Sequence, residues 1–313
     1  MNYLKEVLKA RQNIAQYLKP TPLYNYPTLD ELVGTKTWVK HENHHVVGAF
    51  KVRGGLNLAA NLTESEKRAG LYTASTGNHG QSIAFAARAY GIQATIAVPE
   101  KANPGKVAAM QGMGAEVIHH GKDFDIARTW IKDISQERGG KFVGPTDELL
   151  IYGVATYALE IIEELPEIDV IIVPVGAGSG ICGTGMVMKS INKKIEVIGV
   201  QSKQAPAQQM SWKSGEMIEA KMETCAEGVA TRVPFENTQK LMRELIDDFV
   251  LVDDSKIAPA IKLLMAHTHN LIEEAGALSL AAALEMKERL KGKNVVLVAS
   301  GGNIAMENIK GLF

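Results

Sequence analysis

The chain has 313 residues, and its 34 basic and 35 acidic side chains give a formal net charge of −1 at pH 7. This length predicts two domains, and the near-zero charge argues against a protein that binds nucleic acid phosphates. No stretch approaches the ~20 consecutive apolar residues of a membrane helix. With only two cysteines, the chain is expected to work in the reducing cytoplasm.

Short apolar runs alternate with helical patterns along most of the chain, after an amphipathic helix predicted in the first 18 residues. The first series predicts strands at 37–39, 71–74, 94–98, 115–118 and 142–143, and helices at 79–90, 104–114 and 123–136. Strands that alternate with helices are typical of parallel sheets. Residues 46–146 are therefore predicted to form a small α/β domain.

A second series begins with a helix predicted at 150–165. It continues with strands at 170–173, 196–200 and 295–298, and with helices from about 181 and at 257–272 and 278–290. The run at 170–173 is wholly apolar, as in a parallel strand buried on both faces. We predict an α/β protein with two open parallel sheets, each wrapped by helices. Residues 1–45 with 147–313 would form the larger domain.

Three small-residue loops follow predicted strands, at 75–80, 176–180 and 300–303. In such sheets, ligands bind beyond the carboxyl ends of the strands. The loop at 176–180 precedes a helix, so its backbone N–H groups predict a phosphate site. Gly178, Gly180 and Gly183 also form a GxGxxG pattern, which leaves a nucleotide-binding oxidoreductase open. The next strand ends at Val200-Gln201, however, without the acidic residue that binds a ribose.

Two further segments carry candidate chemistry. Lys51 lies among apolar residues and glycines, where it is either a desolvated nucleophile or an ordinary solvated lysine, and the segment alone favours the latter. The histidine-rich segment 41–45 has ligands at metal-like spacing. It lacks a companion cluster, so a polar loop is predicted there.

Together these motifs resemble pyridoxal-phosphate enzymes of the tryptophan-synthase-β fold. Residues 50–55 are similar to the Ser-Phe-Lys-x-Arg-Gly signature of that fold. Residues 75–81 resemble the Ser-Ser-Gly-Asn-His segment of its threonine/serine dehydratase and serine racemase branch. The loop at 173–180 resembles the phosphate loop of that branch, and 300–303 its Ser-Gly-Gly-Asn. The similarity extends over about residues 21–303.

This resemblance implies pyridoxal 5'-phosphate in a cleft between the two domains. It also implies β-elimination from a small 3-hydroxy amino acid such as threonine or serine, which would give a 2-oxo acid and ammonia. A serine racemase is the nearest alternative. Because fold relatives are commonly dimers or tetramers, a homo-oligomer is expected.

The resemblance also assigns roles to individual residues. Lys51 would hold the cofactor covalently and carry the Cα proton, and Thr76 would be the catalytic residue on the opposite face. The substrate carboxylate would bind at Ser75, Thr76, Asn78 and His79. The other cofactor contacts would be Phe50, Asn78, Gly176, Ala177, Gly178, Ser179, Gly180, Gly228, Glu273 and Ser300.

Several positions depart from the family pattern. Ala49 replaces a serine, and Thr76 replaces the serine that acts as acid and base in serine racemases. Because a β-branched side chain is restricted at χ1, Thr76 favours elimination over racemisation. Val154-Ala155 replaces the Gln-Gly of dehydratases, which leaves the substrate open. Gln201 and Ala207 replace the carboxylates of a cation site, so no metal is predicted.

Overall fold

The computed structural model describes residues 2–312, in which ten strands form two separate sheets. The strands are β1 (Leu23–Asn25), β2 (Thr37–His41), β3 (Leu71–Ala74), β4 (Ala94–Val98), β5 (Glu116–His119), β6 (Lys141–Phe142), β7 (Val170–Pro174), β8 (Glu196–Ser202), β9 (Asp248–Val252) and β10 (Val295–Ala299).

The helices cover both sheets. They are α1 (Tyr3–Ile14), α2 (Pro27–Val33), α3 (Lys51–Ala60), α4 (Glu64–Ala69), α5 (Asn78–Ala89), α6 (Pro104–Gly112), α7 (Phe124–Glu137), α8 (Glu148–Val154), α9 (Thr156–Glu164), α10 (Ser179–Ile191), α11 (Ala207–Ser214), α12 (Glu236–Leu245), α13 (Ile257–Thr268), α14 (Glu274–Glu285), α15 (Lys287–Leu290) and α16 (Met306–Lys310). Short 3₁₀ turns lie at Glu42–His44, Glu227–Val229 and Asp254–Lys256. No helix in the described part of the chain is both long and apolar enough to span a membrane.

The smaller sheet is wholly parallel, in the order β5-β4-β3-β6. Helices α5, α6 and α7 connect its successive strands. All five positions of β4 are buried, as expected of a parallel strand covered on both faces. The parallel sheet predicted in this range is confirmed, with strand bounds shifted by about one residue. The domain boundaries at residues 46 and 146 stay a prediction.

The larger sheet has the order β1-β2-β10-β7-β8-β9, and all its neighbours are parallel except β1 and β2. The predicted α/β class with two parallel-type sheets is confirmed, and the structure adds one antiparallel pair at this edge. Strand β1 pairs antiparallel with β2, with Leu23 opposite Lys40. Only three residues long, β1 is too short to show a periodic pattern, and antiparallel edge strands are common on parallel sheets.

The single helix predicted at 150–165 is two helices, α8 and α9, separated at Ala155. A Cβ on Gly153 would collide with the backbone oxygen of Arg53, so α3 passes very close to this point. The hydroxyl of Thr156 donates to the Gly153 oxygen over 2.7 Å and so takes up a helix carbonyl. Contact with α3, which is distant in sequence, therefore accompanies the break.

Four charged side chains are buried where α3 meets β2 and α9. Arg53 donates from Nε to Glu42 over 2.7 Å and from Nη1 to Glu160 over 2.6 Å. Lys40 donates to the second oxygen of Glu160 over 2.6 Å. Burial opposes ionisation, yet the Arg53 guanidinium holds the pKa of the Glu42 carboxyl well below its usual range. The cluster fixes the first turn of α3, which begins at Lys51.

Replacing Arg53 with alanine should destabilise the fold strongly, because it leaves Glu42 and Glu160 buried without their main partner. We expect the free energy of unfolding to fall by about 3–5 kcal/mol, measured by urea denaturation at pH 7. The matched control is Lys67→Ala, which breaks an exposed pair with Glu64 and should cost less than about 1 kcal/mol. Equal losses in the two variants would contradict the importance of the cluster.

Candidate active site

The candidate site lies at the carboxyl edge of the larger sheet, where the loops after β7 and β10 meet. These two strands are parallel neighbours, so residues 176–180 and 300–303 emerge side by side. The segment before α3 joins them. Phe50 donates its N–H to the Ser300 oxygen over 3.1 Å, and Ala49 forms an isolated antiparallel bridge with Gly301. This pairing holds Lys51 against the end of β10.

The loop at 176–180 is a compact cradle that only small residues can form. Gly178 has φ +103°, and a Cβ added there would lie 2.7 Å from Thr238. A Cβ on Gly176 would collide with the carbonyl oxygen of Gly228, and one on Gly180 would lie 3.6 Å from the Phe50 ring. The backbone therefore approaches both a neighbouring loop and the segment that carries Lys51.

The cradle leads directly into α10, a helix of 13 residues whose N-terminus has no side-chain cap. The N–H groups of Ser179, Gly180 and Ile181 find no acceptor within residues 2–312. Unpaired N–H groups at a helix N-terminus attract an anion, and the helix dipole adds to the attraction. The cradle thus fits a phosphate group.

Lys51 is the first residue of α3 and is partly buried. Burial lowers the pKa of its amine, while the negative charge of Glu273 acts in the opposite direction. Within the described residues, its Nζ has no hydrogen bond or ion pair. An amine with a lowered pKa and no partner is available to bond covalently to a carbonyl carbon and to carry a proton. Lys51 and the cradle together fit pyridoxal phosphate.

The loop between β3 and α5 contains Ser75 and Thr76, and His79 lies in the first turn of α5. The Gly77 N–H donates to the Ser75 hydroxyl over 3.2 Å. The His79 ring lies inside the smaller sheet, with Nε2 3.1 Å from Thr73 Oγ1 and 3.2 Å from the Val143 oxygen. Burial, and then the charge of Lys51, lower the pKa of His79 to about 4. Its imidazole is therefore neutral and already engaged, so only its backbone can face the cleft.

Asn78, Glu273 and Asn303 form a hydrogen-bond network between the two sheets. Asn78 Nδ2 donates to Glu273 Oε1 over 2.8 Å, and the Asn303 N–H donates to Glu273 Oε2 over 3.1 Å. Asn303 Nδ2 donates to Asn78 Oδ1 and to the Val47 oxygen, each over 2.8 Å. Burial raises the pKa of Glu273 to about 7, although the bond from Asn78 opposes this. Asn303 thereby ties together three segments of the site.

The structure brings most of the predicted site residues together, and it adds contacts that the sequence did not indicate. Gly228 meets the cradle at Gly176, and Glu273 lies beside Gly301. Ser75 and Thr76 lie in the loop that leads to Asn78, and His79 follows Asn78 in the first turn of α5. Asn303 and Arg53 were not assigned roles, although each lies within a motif. The hydrogen-bond partners of these two residues are distant in sequence, so the motifs alone could not indicate their roles.

Gln201, which was predicted to replace a carboxylate of a cation site, is a hydrogen-bonded amide in the structure. Gln201 donates to the Val229 oxygen over 3.3 Å and to the Thr231 hydroxyl over 3.2 Å, and it accepts from the Gln209 N–H over 3.3 Å. In the histidine-rich segment, Glu42 turns inward to Arg53 rather than outward to a ligand. The absence of a metal stays a prediction.

Replacing Asn303 with alanine should weaken cofactor binding, since Asn78 and Val47 lose a shared donor. Losing these partly buried bonds should lower the affinity roughly tenfold to a hundredfold, from about 1–3 kcal/mol, measured by titrating the cofactor absorbance. Asn308→Ala is the matched control, because the Asn308 side chain donates to Glu274 outside the network. Unchanged affinity in Asn303→Ala would show that the network does not shape the site.

Known proteins resemble this chain along nearly its whole length. An L-threonine ammonia-lyase of Thermotoga maritima is 38% identical over 309 residues, 98% of this chain and 77% of that protein. The processed form of threonine deaminase isoform 2 from Solanum lycopersicum superposes with a TM-score of 0.95 at 32% identity, covering 99% of this chain and 91% of that one. Maize serine racemase superposes with a TM-score of 0.93 at 31% identity, covering 98% of this chain and 95% of that one.

A family model described as pyridoxal-phosphate dependent enzyme matches residues 14–301. This match includes the Lys51 segment, the cradle at 176–180, Glu273 and Ser300. It decides against the nucleotide-binding oxidoreductase that the GxGxxG pattern left open. The fit of the site to the cofactor and the match to the family agree, and this chain belongs to the family of pyridoxal-phosphate dependent enzymes.

Proposed function

We propose that this enzyme removes water from a small 3-hydroxy amino acid such as threonine or serine, and that the product hydrolyses to a 2-oxo acid and ammonia. The observation that carries the proposal is the unpaired Lys51 amine, which interacts with the charge of Glu273 and follows Phe50, whose ring lies beside the glycine cradle. The names of the relatives support it, since two of them are a threonine ammonia-lyase and a threonine deaminase.

Pyridoxal phosphate, when bound, withdraws electrons from the substrate Cα and so makes its proton acidic. The N–H groups of the cradle would hold the phosphate, and Phe50, Asn78, Gly228 and Glu273 would line the ring. Ser300, buried at the end of β10, would face the ring nitrogen. A neutral hydroxyl there does not enforce protonation of the ring, which suits a rapid elimination better than chemistry that needs a long-lived carbanion.

The protein's own residues then bind the substrate and move its proton. The N-terminus of α5 would hold the substrate carboxylate at Ser75, Thr76, Asn78 and His79, through backbone N–H groups and the helix dipole. Lys51 would take the Cα proton, because burial lowers the pKa of its amine. Elimination requires this one base together with a departing hydroxyl group.

Serine racemase is the second candidate, favoured by the close superposition on the maize enzyme. Racemisation needs a proton donor on each face of Cα, so the side chain opposite Lys51 decides between the two reactions. That residue would be Thr76, whose β-branch restricts χ1 and whose methyl group takes up space beside the substrate. This restriction supports elimination.

We further propose that residues 46–146 form the small domain and that 1–45 with 147–313 form the large one. All four strands of the smaller sheet lie within that range. The cradle and Ser300 extend from the larger sheet, and the loop at 75–79 extends from the smaller. The cleft between the two proposed domains would then hold the cofactor.

The enzyme is proposed to form a homo-oligomer and to work in the cytoplasm. Tyr24, Val46 and Met306 are exposed apolar side chains that a second copy could cover. Cys182 is buried, Cys225 is exposed, and both are free thiols, as is usual in a reducing compartment. Light scattering of the purified holoenzyme measures the mass directly.

Reduction of the holoenzyme with borohydride should attach the cofactor to the peptide that contains Lys51, as identified by mass spectrometry. Lys51→Ala should lose turnover of threonine and serine almost completely, because it removes the proposed base for the Cα proton. Lys67→Ala, on the exposed face of α4, should retain full activity. A label on any other lysine would overturn the assignment of the site.

With L-serine as substrate, the enzyme should form pyruvate much faster than D-serine, as measured by chiral chromatography. Thr76→Ala should retain most of the elimination, since Thr76 is not the base for that step. Thr76→Ser should raise any racemase activity, because the smaller side chain rotates more freely. If the unmodified enzyme forms D-serine faster than pyruvate, it is a racemase.

A further inference from the structure

An ion pair between Lys106 and Glu227 joins the two sides of the cleft. Lys106, in α6, contacts the carboxylate of Glu227, in the 3₁₀ turn Glu227–Val229. Helix α6 packs on the smaller sheet, whereas the turn follows α11 of the larger sheet. The Lys106 side chain is 16% exposed and that of Glu227 is 62% exposed. The pair therefore lies where the cleft opens to solvent.

Both partners adjoin the proposed substrate site. Met110 lies one turn after Lys106 on the same helix face. Met110 Sδ would lie 2.5 Å from a Cβ on Gly80, and Ser75 Cβ would lie 3.2 Å from the same point. Lys106 therefore belongs to the helix that packs, through Met110, against the loop that would hold the carboxylate.

Glu227 approaches from the opposite wall. It precedes Gly228, which touches the cradle at Gly176 and where a Cβ would lie 3.7 Å from Glu273 Oε1. The charge of Lys106 acts on Glu273 and lowers its pKa against the larger effect of burial. The ammonium is therefore close enough to influence a group inside the site.

We propose that Lys106 and Glu227 form a specificity-determining charge pair that makes the cleft prefer substrates with uncharged side chains. This inference rests on the proposed function and extends it to substrate selection. An unpaired Lys106 would attract a second carboxylate on the substrate. Glu227 neutralises that ammonium and adds a carboxylate where the cleft opens to solvent. The pair therefore does not increase the affinity for a substrate with an anionic side chain.

The pair would select substrates through its electrostatic effect on the ligand and not through a contribution to the stability of the fold. A partly exposed ion pair contributes little to stability. Its field still acts on a ligand in the cleft, because opposite or like charges a few ångströms apart near a surface interact appreciably. Removal of either partner should therefore change ligand selection in a direction set by the sign of the remaining charge.

The test compares Glu227→Gln with Lys106→Gln in the holoenzyme, and uses the cofactor absorbance to measure dissociation constants for L-aspartate and L-alanine. Relative to L-alanine, Glu227→Gln should bind L-aspartate about threefold to tenfold more tightly, and Lys106→Gln should bind it more weakly by a similar factor. The double variant should return to the selectivity of the unmodified enzyme. The matched control Glu64→Gln, in the exposed pair with Lys67, should change neither constant.

Opposite shifts in the two single variants are the required result. A pair that merely holds the cleft closed would change binding in the same direction in both variants, and that result would overturn the proposal. Unchanged selectivity in both would also overturn it. A parallel assay of 2-oxo acid release from threonine, serine and 3-hydroxyaspartate tests the proposed elimination separately. If no 2-oxo acid is released, the elimination proposal fails. The dissociation constants for L-aspartate and L-alanine still test the proposed role of the charge pair.

Discussion

The buried Arg53 guanidinium, held between Glu42 and Glu160, is the interaction on which the geometry of the site depends. Arg53 lies two residues after Lys51, so helix α3 cannot shift without separating charges that have no access to water. Glu42 follows β2 of the larger sheet, and Glu160 belongs to α9. A single side chain thereby sets the start of α3 against two elements that are far apart in the sequence.

The charge state of the site follows from the same burial. Burial lowers the pKa of Lys51 and raises that of Glu273 to about 7, so both groups are driven toward their neutral forms. Neutral groups cost less to enclose than ions, and a neutral amine can accept a proton. Asn78 and Asn303 partly stabilise the Glu273 carboxylate through hydrogen bonds. The site thus keeps two titratable groups whose protonation can respond to a ligand.

The two walls of the cleft are joined by interactions of different kinds. Near the cradle they meet through backbone pairing of Phe50 with Ser300 and through the Asn303 network, which are short and directional. At the mouth they meet through the Lys106–Glu227 ion pair, which is partly exposed and weaker. The contacts between the two walls are therefore more numerous and more directional near the cofactor site than at the mouth.

The sequence by itself determined the α/β class, most of the longer elements and the family, because these depend on local periodicity and on short contiguous motifs. It could also indicate the cradle at 176–180, since three glycines in five residues before a helix favour a phosphate site over a plain tight turn. It did not reveal β1, the break between α8 and α9, or helix α11 within a polar stretch. Those features depend on an edge pairing, on close contact with α3 and on packing against distant residues.

Only the tertiary structure decided which polar residues act together. Asn303 bonds Asn78 across 225 positions of sequence, and Arg53 bonds Glu160 across 107. The direction of the His79 ring, the neutral state of its imidazole and the raised pKa of Glu273 likewise follow from burial among segments that the chain brings together only on folding. Hydrogen bonding and desolvation depend on distances of a few ångströms, and a linear pattern does not contain those distances.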